Sequence, residues 1–589
     1  MKKINRLTLV LTLMAAGLFA SCASDEEATR ENQKIALDGS HFKFTEVAYQ
    51  AEQAVTRAAA SVKPTTVDLG DGLEAEVSVT PDAPTGKTRA VDPISDGKYT
   101  ILAFDPSTHN LQGKLEGSVT GGVFAPDAGQ KLLLDPGTYD FTCFSEPVVY
   151  DEPNKRLVVK NWLTKSPTIA HAQATIAGDV YEVQFNMEHK SARVRLNITS
   201  DILSENTPID AYLRGTTFGS LYWNEDWYTA FSGALNNTGN FFYNVPQPLT
   251  FTNIAPVTTQ AGTTCTSAYG YMLPSTAPNN SLRDYTLHFT AGTIGGAPLA
   301  SKAINLSGAT FPTGFQWDYN QSITINVNVK GQLYLFEDGK ARVYAGRGTH
   351  TPIGVVLQQK WEPANQKGIA IALNNAADGV NYVEALNSYA IPFKLTDDDY
   401  IFKFTTDGYD YTHNTNVYDE SRYADMATNM HIPQSPKLPA KDLKDLTTHS
   451  YLLPAYHNAA TYNPGVATQN IGEWFLPSGL QWRKALSALG KIAPTTLDNA
   501  YGDNSQNYFF DPSFEPYDTQ TFFSMDLSKL QKFFTDAGGT FPTGWYNMSG
   551  GGEPGNRVHF LLFRPTQVCL LWSQEANFEV AHVRPFVYY

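Results

Sequence analysis

The chain has 589 residues, a net charge of −15, 17% charged and 12% aromatic residues, 44 glycines and 34 prolines. That length can hold several cores, and the acidic balance excludes a nucleic-acid partner of the usual kind, because phosphates need a basic face. Few charges among many turn residues exclude a coiled or disordered chain and fit a turn-rich β protein.

In chain order, Lys2, Lys3 and Arg6 precede an apolar run over 7–19, too short to span a bilayer as a helix. Phe19-Ala20-Ser21-Cys22 then resembles a bacterial lipobox. The resemblance implies a signal peptide over 1–21, lipid on Cys22 and attachment to the outer membrane. An ordinary secretory signal with an incidental cysteine is the competing reading. Asp25, Glu26 and Glu27 resemble the surface-export signal of Bacteroidetes lipoproteins. Residues 22–90 read as a tether with a pro-segment strand. In it, "HFKFTEVAY" places Phe42 and Phe44 on one face, and "LEAEVSVTP" alternates through Val77 and Val79. "VTRAAA" at Arg57 and "KTRAVD" at Arg89 follow these strands in small, polar surroundings where proteases cut easily.

From Tyr99 the strands come quickly. "KYTILAFD" reads as a buried strand. "KLLLDPGTYDFTCF" reads as a hairpin about the turn Asp135-Pro136-Gly137. "YEVQFNMEHKSARVRLNIT" alternates through Val183, Phe185 and Met187, then through Ala192, Val194, Leu196 and Ile198, with a bulge or phase change between. "QSITINVNVKGQLYLF" alternates again. Short strands and frequent turns predict a mainly β protein of antiparallel sandwiches. A leader, a strand, "TRA", "YTILAFD", "LDPGTYDF" and "VQFNMEHKSARVRLNI", in that order, resemble the fimbrillins, the type V pilins of Bacteroidales. The resemblance covers about residues 1–335. It implies two tandem transthyretin-like sandwiches, divided here as 91–175 and 176–335.

Residues 336–589 read as an α+β domain. "PSGLQWRKALSALG" predicts a helix with a Ser478/Gln481 capping box, and "SMDLSKLQKFFTDAGG" predicts a second with Leu527, Leu530, Phe533 and Phe534 apolar. The series "PIGVVL", "GIAIAL", "WFLPS", "LWSQE" and "VRPF" resembles a C-terminal domain of Bacteroidetes surface proteins with a C-type-lectin-like fold.

No H-E-x-x-H, G-x-S-x-G, Walker loop or C-x-x-C occurs. Cys143, Cys265 and Cys569 form no disulfide framework, and the histidines lack metal-ligand spacing. The expectation is therefore no enzyme, no catalytic residue, no metal and no cofactor. Aromatic loops are the candidate ligand-binding feature: Trp223 and Trp227 in "SLYWNEDWYTAF", and Trp545 and Tyr546 beside a glycine run. Rings among polar groups suit a host or bacterial surface glycan or protein, and the same rings could equally fill cores.

The fimbrillin resemblance implies maturation by a cut after an arginine. The cut frees a strand, and a neighbouring pilus subunit replaces it by strand exchange. Arg89 is the first choice of site and Arg57 the second. With its added domain, the chain is expected to be a tip or accessory subunit in cell adhesion, located in the fimbrium at the outer membrane. The alternative is a surface glycan-binding lipoprotein that joins no pilus.

Overall fold

The period-2 apolar pattern is realised as strands through most of the chain. A computed structural model describes residues 34–49, 64–82, 93–159, 165–177, 181–203, 205–215, 221–223, 226–234, 243–245, 248–272, 282–312, 315, 318–383, 392–394, 406–498, 521–550, 558–573 and 581–589.

The first domain is built on a seven-stranded sheet. Its order is Phe42–Glu46, Val183–His189, Thr168–Ile176, Gly137–Ser145, Gly97–Phe104, Leu111–Thr120, Val123–Pro126. The neighbouring inner strands Gly137–Ser145 and Gly97–Phe104 carry apolar side chains on both faces. Ile101, Ala103, Phe141 and Cys143 enter one core with Leu37, Leu132 and Leu134. Leu102, Phe104 and Phe144 enter another with Leu157, Val159 and Tyr228. Small sheets supply these outer layers: Ile35–Leu37 on Leu132–Leu134, and Val148–Asp151, Arg156–Val159 and Asp226–Thr229 together. The expected hairpin about Pro136 is thus not a hairpin. Its two arms belong to different sheets, because Leu132–Leu134 finds its partner in the N-terminal segment.

The second domain faces a sheet of Leu73–Pro81, Ala192–Ser200, Ser322–Gly331 and their neighbours against one containing Thr207–Gly215, Leu249–Ile254 and Tyr285–Ile294. Their inward side chains form one core. The phase change read in the sequence is the crossing between domains. Met187 and His189 are still in the first sheet, and Ala192 opens the second. The crossing therefore lies at Lys190-Ser191, not near residue 175. Most pairings are antiparallel, but Phe42–Glu46 with Val183–His189 and Ala192–Ser200 with Ser322–Gly331 are parallel.

The third domain starts at Leu333–Phe336, a few residues before position 336. A five-stranded sheet ends in Phe586–Tyr588, and a six-stranded sheet contains Gly544–Asn547 and Val558–Arg564. Both expected helices form. In Gly479–Ala488, Ser478 and Gln481 make the capping box, and Gln481 Oε1 accepts from the Ser478 amide at 2.9 Å. Leu527–Thr535 is capped by Asp526, which accepts from the Ser528 amide at 3.1 Å, and buries Leu527, Leu530 and Phe534. Trp482 lies among Tyr546, Phe563 and Phe586, with ring centroids 5.2–5.8 Å away. Among the described residues no helix is long and apolar enough to cross a membrane.

Candidate functional site

The segment 22–90 holds four described strands, all paired in the folded domains, and the two read from the sequence occupy the principal seats. The first is Phe42–Glu46 on the edge of the seven-stranded sheet. Phe42 meets Phe124, Phe141 and Phe185 at centroid distances of 6.1–6.4 Å. At its end the buried Glu46 carboxylate accepts from the Ser95 amide at 2.7 Å and the Ser95 hydroxyl at 3.0 Å, and lies 3.3 Å from His189 Nε2. His189 Nδ1 is 2.8 Å from Ser166 Oγ, and the Tyr49 hydroxyl donates to that oxygen at 2.6 Å. The Tyr49 ring stacks on the imidazole at 3.8 Å and carries the Arg193 guanidinium 4.3 Å from its centre. These contacts fit one tautomer: Nε2–H faces Glu46, and Nδ1 accepts from Ser166. Burial, and then the charge of Arg193, pull His189 down to about 3, so it stays neutral beside the carboxylate. The order Ser166–His189–Glu46 has the outline of an acid–base relay. Tyr49 occupies the serine and covers the ring, so the group works as a bolt across the strand end. It borders a cavity of about 390 Å³, also lined by Lys98, Lys165 and Tyr271.

The second seat lies in the second domain. Leu73–Pro81 pairs antiparallel with Ser322–Gly331 over nine residues, from Leu73↔Gly331 to Pro81↔Ile323. Thr65–Gly70 covers its other edge. Leu73, Ala75, Val77 and Val79 are at most 1% exposed. Burying a Leu or Val side chain contributes about 1.5–3 kcal/mol, so this strand is a substantial part of its domain. Beyond it, Asp82 is held from several elements. Oδ2 accepts from the Tyr269 hydroxyl at 2.5 Å and Ser322 Oγ at 2.6 Å. Oδ1 accepts from Arg195 Nη2 at 3.1 Å and from Thr324 Oγ1. Burial raises the Asp82 pKa, but these hydrogen bonds and the Arg195 charge outweigh it and hold the carboxyl below the ordinary value.

The strand before Arg89, the first choice of cleavage site, does not complete the first sheet. Leu73–Pro81 belongs to the second domain, and the N-terminal strand of the first sheet lies before Arg57. Arg57, Arg89, Cys22, Asp25, Glu26 and Glu27 are outside the described residues.

The four aromatic candidates separate. Tyr546 is a core residue, 0% exposed, stacked on Phe541 at 4.9 Å and donating its hydroxyl to the Pro542 carbonyl at 2.7 Å. It is not a ligand-binding surface, because strand Gly544–Asn547 turns it inward. Trp545, one residue earlier, is half-buried against Phe560. Trp223 and Trp227 lie on strands Leu221–Trp223 and Asp226–Thr229, with backbone partners Tyr243 and Val158; their side chains are outside the described residues. Tyr409, Tyr411 and Tyr418 also divide. The last two are buried, whereas Tyr409 is half-exposed, stacks on His413 at 4.6 Å and donates to Glu473 at 3.1 Å. Among the described residues no group of three or more His, Cys, Asp or Glu side chains could hold a metal.

Sequence reading missed Glu46, Tyr49, His189, Asp82, Arg195 and Tyr269. The available signal was an acid at or just past the end of each alternating strand, but its receptors lie more than a hundred residues away.

A scan of protein-family models finds no match, and neither does a search of curated proteins. Among solved structures, the chain is similar to a fimbrial protein from Bacteroides ovatus, at 10% identity and TM-score 0.22, over 95% of this chain and 100% of that one. It is also similar to the tip fimbrial protein Mfa3 from Porphyromonas gingivalis with C-terminal truncation, at 13% identity and TM-score 0.22, over 43% of this chain and 98% of that one.

Proposed function

We propose that this chain is a fimbrial tip or accessory subunit for cell adhesion, anchored through Cys22 and assembled after proteolysis by strand exchange. The observation that carries this reading is the seat of Leu73–Pro81. An inner strand of the second domain is supplied from the N-terminal side of Arg89. A cut after Arg89 severs that strand from its domain without touching any other described strand there except its partner Thr65–Gly70. The vacated groove has unpaired edges and an apolar floor, which a strand from a neighbour refills with main-chain hydrogen bonds and buried side chains. The same cut also severs Ile35–Leu37 and Phe42–Glu46 from the first domain, whereas a cut after Arg57 severs, among the described strands, those two and leaves Leu73–Pro81 in place. The third domain, unnecessary for a stalk, is the part that meets the target. Two of its half-exposed rings, Trp545 and Tyr409, are the candidate contacts with a glycan or protein.

N-terminal sequencing of the protein in assembled fibres tests this. A start at Ala90 is expected. A start at Ala58 moves the cut to Arg57. A start at Cys22 in fibres removes the mechanism, and a surface protein that never enters fibres is the glycan-binding lipoprotein instead. Fatty-acid labelling should disappear in Cys22→Ala. Replacing Asp25, Glu26 and Glu27 by Ala should keep the label and lose surface exposure.

A further inference from the structure

The side chains that hold Asp82 all come from the body of the second domain. Arg195 is on Ala192–Ser200, Ser322 and Thr324 are on Ser322–Gly331, and Tyr269 directly precedes Gly270–Met272. They are also tied to one another. Arg195 Nε donates to Thr324 Oγ1 at 2.9 Å, Arg193 Nε donates to Ser322 Oγ at 2.6 Å, and the Tyr269 ring lies 4.2 Å from the Arg193 guanidinium. None of them arrives with the removable strand. When that strand leaves, a guanidinium and three hydroxyls stay aimed at one point and lose their shared acceptor. Leaving such donors unmatched in a half-buried site is unfavourable. A carboxylate, with two oxygens each accepting two bonds, matches all four.

We propose that this cluster is an address that selects the incoming strand. The second domain admits a strand of another fibre subunit that carries aliphatic side chains at alternate positions and a carboxylate three residues past the last of them. This rests on the strand-exchange reading above and adds the chemistry of the partner. The resident strand is the template: Leu73, Ala75, Val77 and Val79 face the core, and Asp82 follows Val79 by three. The cluster also sets direction. A strand laid the other way would put its acid at the far end of the groove, about 30 Å from Arg195 at about 3.4 Å per residue. An amide in place of the acid keeps the shape and loses the charge-assisted bond to Arg195.

The test uses the full chain cut with an arginine-specific protease and two labelled peptides, residues 70–85 and the same peptide with Asp82→Asn, both amidated. Long incubation and fluorescence anisotropy read exchange into the groove. The native peptide should enter, and the Asp82→Asn peptide should bind at least about tenfold more weakly, as expected for loss of a hydrogen-bonded charge. Arg195→Met in the full chain should shrink that ratio toward one, which a purely structural role for Asp82 would not do. If both peptides bind within threefold of each other, the address is wrong and strand exchange stands. If neither enters protein shown to be cut after Arg89, strand exchange in this domain fails and the address with it.

Discussion

Asp82 and His189 are the residues whose chemistry the fold has changed most usefully. The Asp82 side chain is 11% exposed and accepts four hydrogen bonds. Asp82→Asn should lower stability by about 1.5–3 kcal/mol, the usual worth of bonds to a buried charge, as read by urea denaturation at neutral pH. Its pKa is lowered in the fold, so the contribution is complete above about 3.9 and is lost as pH falls through the folded value. The variant should lack that acid limb. His189 adds a second limb. It is held neutral down to about 3, while the unfolded chain takes up the proton near 6.5. Stability should therefore decline as pH drops below about 6.5, and His189→Gln should flatten the decline. Glu46, Arg193 and Tyr49 all contact or face that ring, so the measurement reports on the whole bolt. At the same scale, Tyr546→Ala should cost about 3–5 kcal/mol, as for other large buried rings, and so cannot serve as a binding probe. Trp545→Ala alone is the clean variant. It should weaken target binding in an adhesion assay while leaving the melting temperature within a few degrees.

At the scale of elements, the C-terminal strand is fully committed to its own domain. Phe586–Tyr588 pairs with Ile369–Ala372, and Phe586 and Val587 are completely buried. Arg584, also 0% exposed, donates to the Ala372 carbonyl at 3.0 Å and the Thr540 carbonyl at 2.7 Å, and lies about 5 Å from the Phe534 and Phe541 rings. Deleting residues 583–589 should therefore unfold the third domain rather than stop polymer growth selectively. Rapid proteolysis within residues 333–589 is the expected readout, and an intact, cooperatively melting domain would contradict it. The two N-terminal seats differ in the same way that the two cuts do. One is an edge strand held by phenylalanines and a polar bolt; the other is an inner strand held by a nine-residue ladder and an acid. Limited proteolysis should release the first seat more readily than the second, because Thr65–Gly70 leaves together with Leu73–Pro81 and the ladders to be broken are then five pairs against nine.

At the scale of the molecule, the second and third domains share a core. Leu333, Val343, Ile353, Val356, Ala370, Trp474 and Val587 belong to the same apolar cluster as Ile198, Ile202 and Leu299. Main-chain and side-chain bonds reinforce the junction: the Val343 amide donates to the Gly295 carbonyl at 2.9 Å, and the Leu203 amide to Gln359 Oε1 at 2.6 Å. A protein ending at residue 335 would expose this cluster. It should melt well below the full chain and aggregate, so loss of adhesion on that truncation would not by itself locate the target site. The first and second domains are also joined, by Asp226–Thr229 of the second pairing with Arg156–Val159 of the first.

The alternation of apolar residues determined locally where strands form, because a strand with one buried face must repeat every second residue. The capping box at Ser478 and the apolar face of Leu527–Thr535 were legible for the same reason: caps and helical periods are contained within one turn or a few. Even the break between Met187 and Ala192 was visible as a change of phase. What alternation does not carry is a strand's partner. Leu132–Leu134 pairs with Ile35–Leu37 instead of its neighbour across Pro136, and Leu73–Pro81 enters the second domain instead of the first. Many strands have inward faces that fit either place, so the choice falls to long-range packing and to single polar groups. Asp82 needs Arg195, Tyr269, Ser322 and Thr324, which only the folded chain brings together. Tyr546 beside Trp545 makes the same point: the sequence marks both as aromatic, and only the tertiary structure decides which one the core takes.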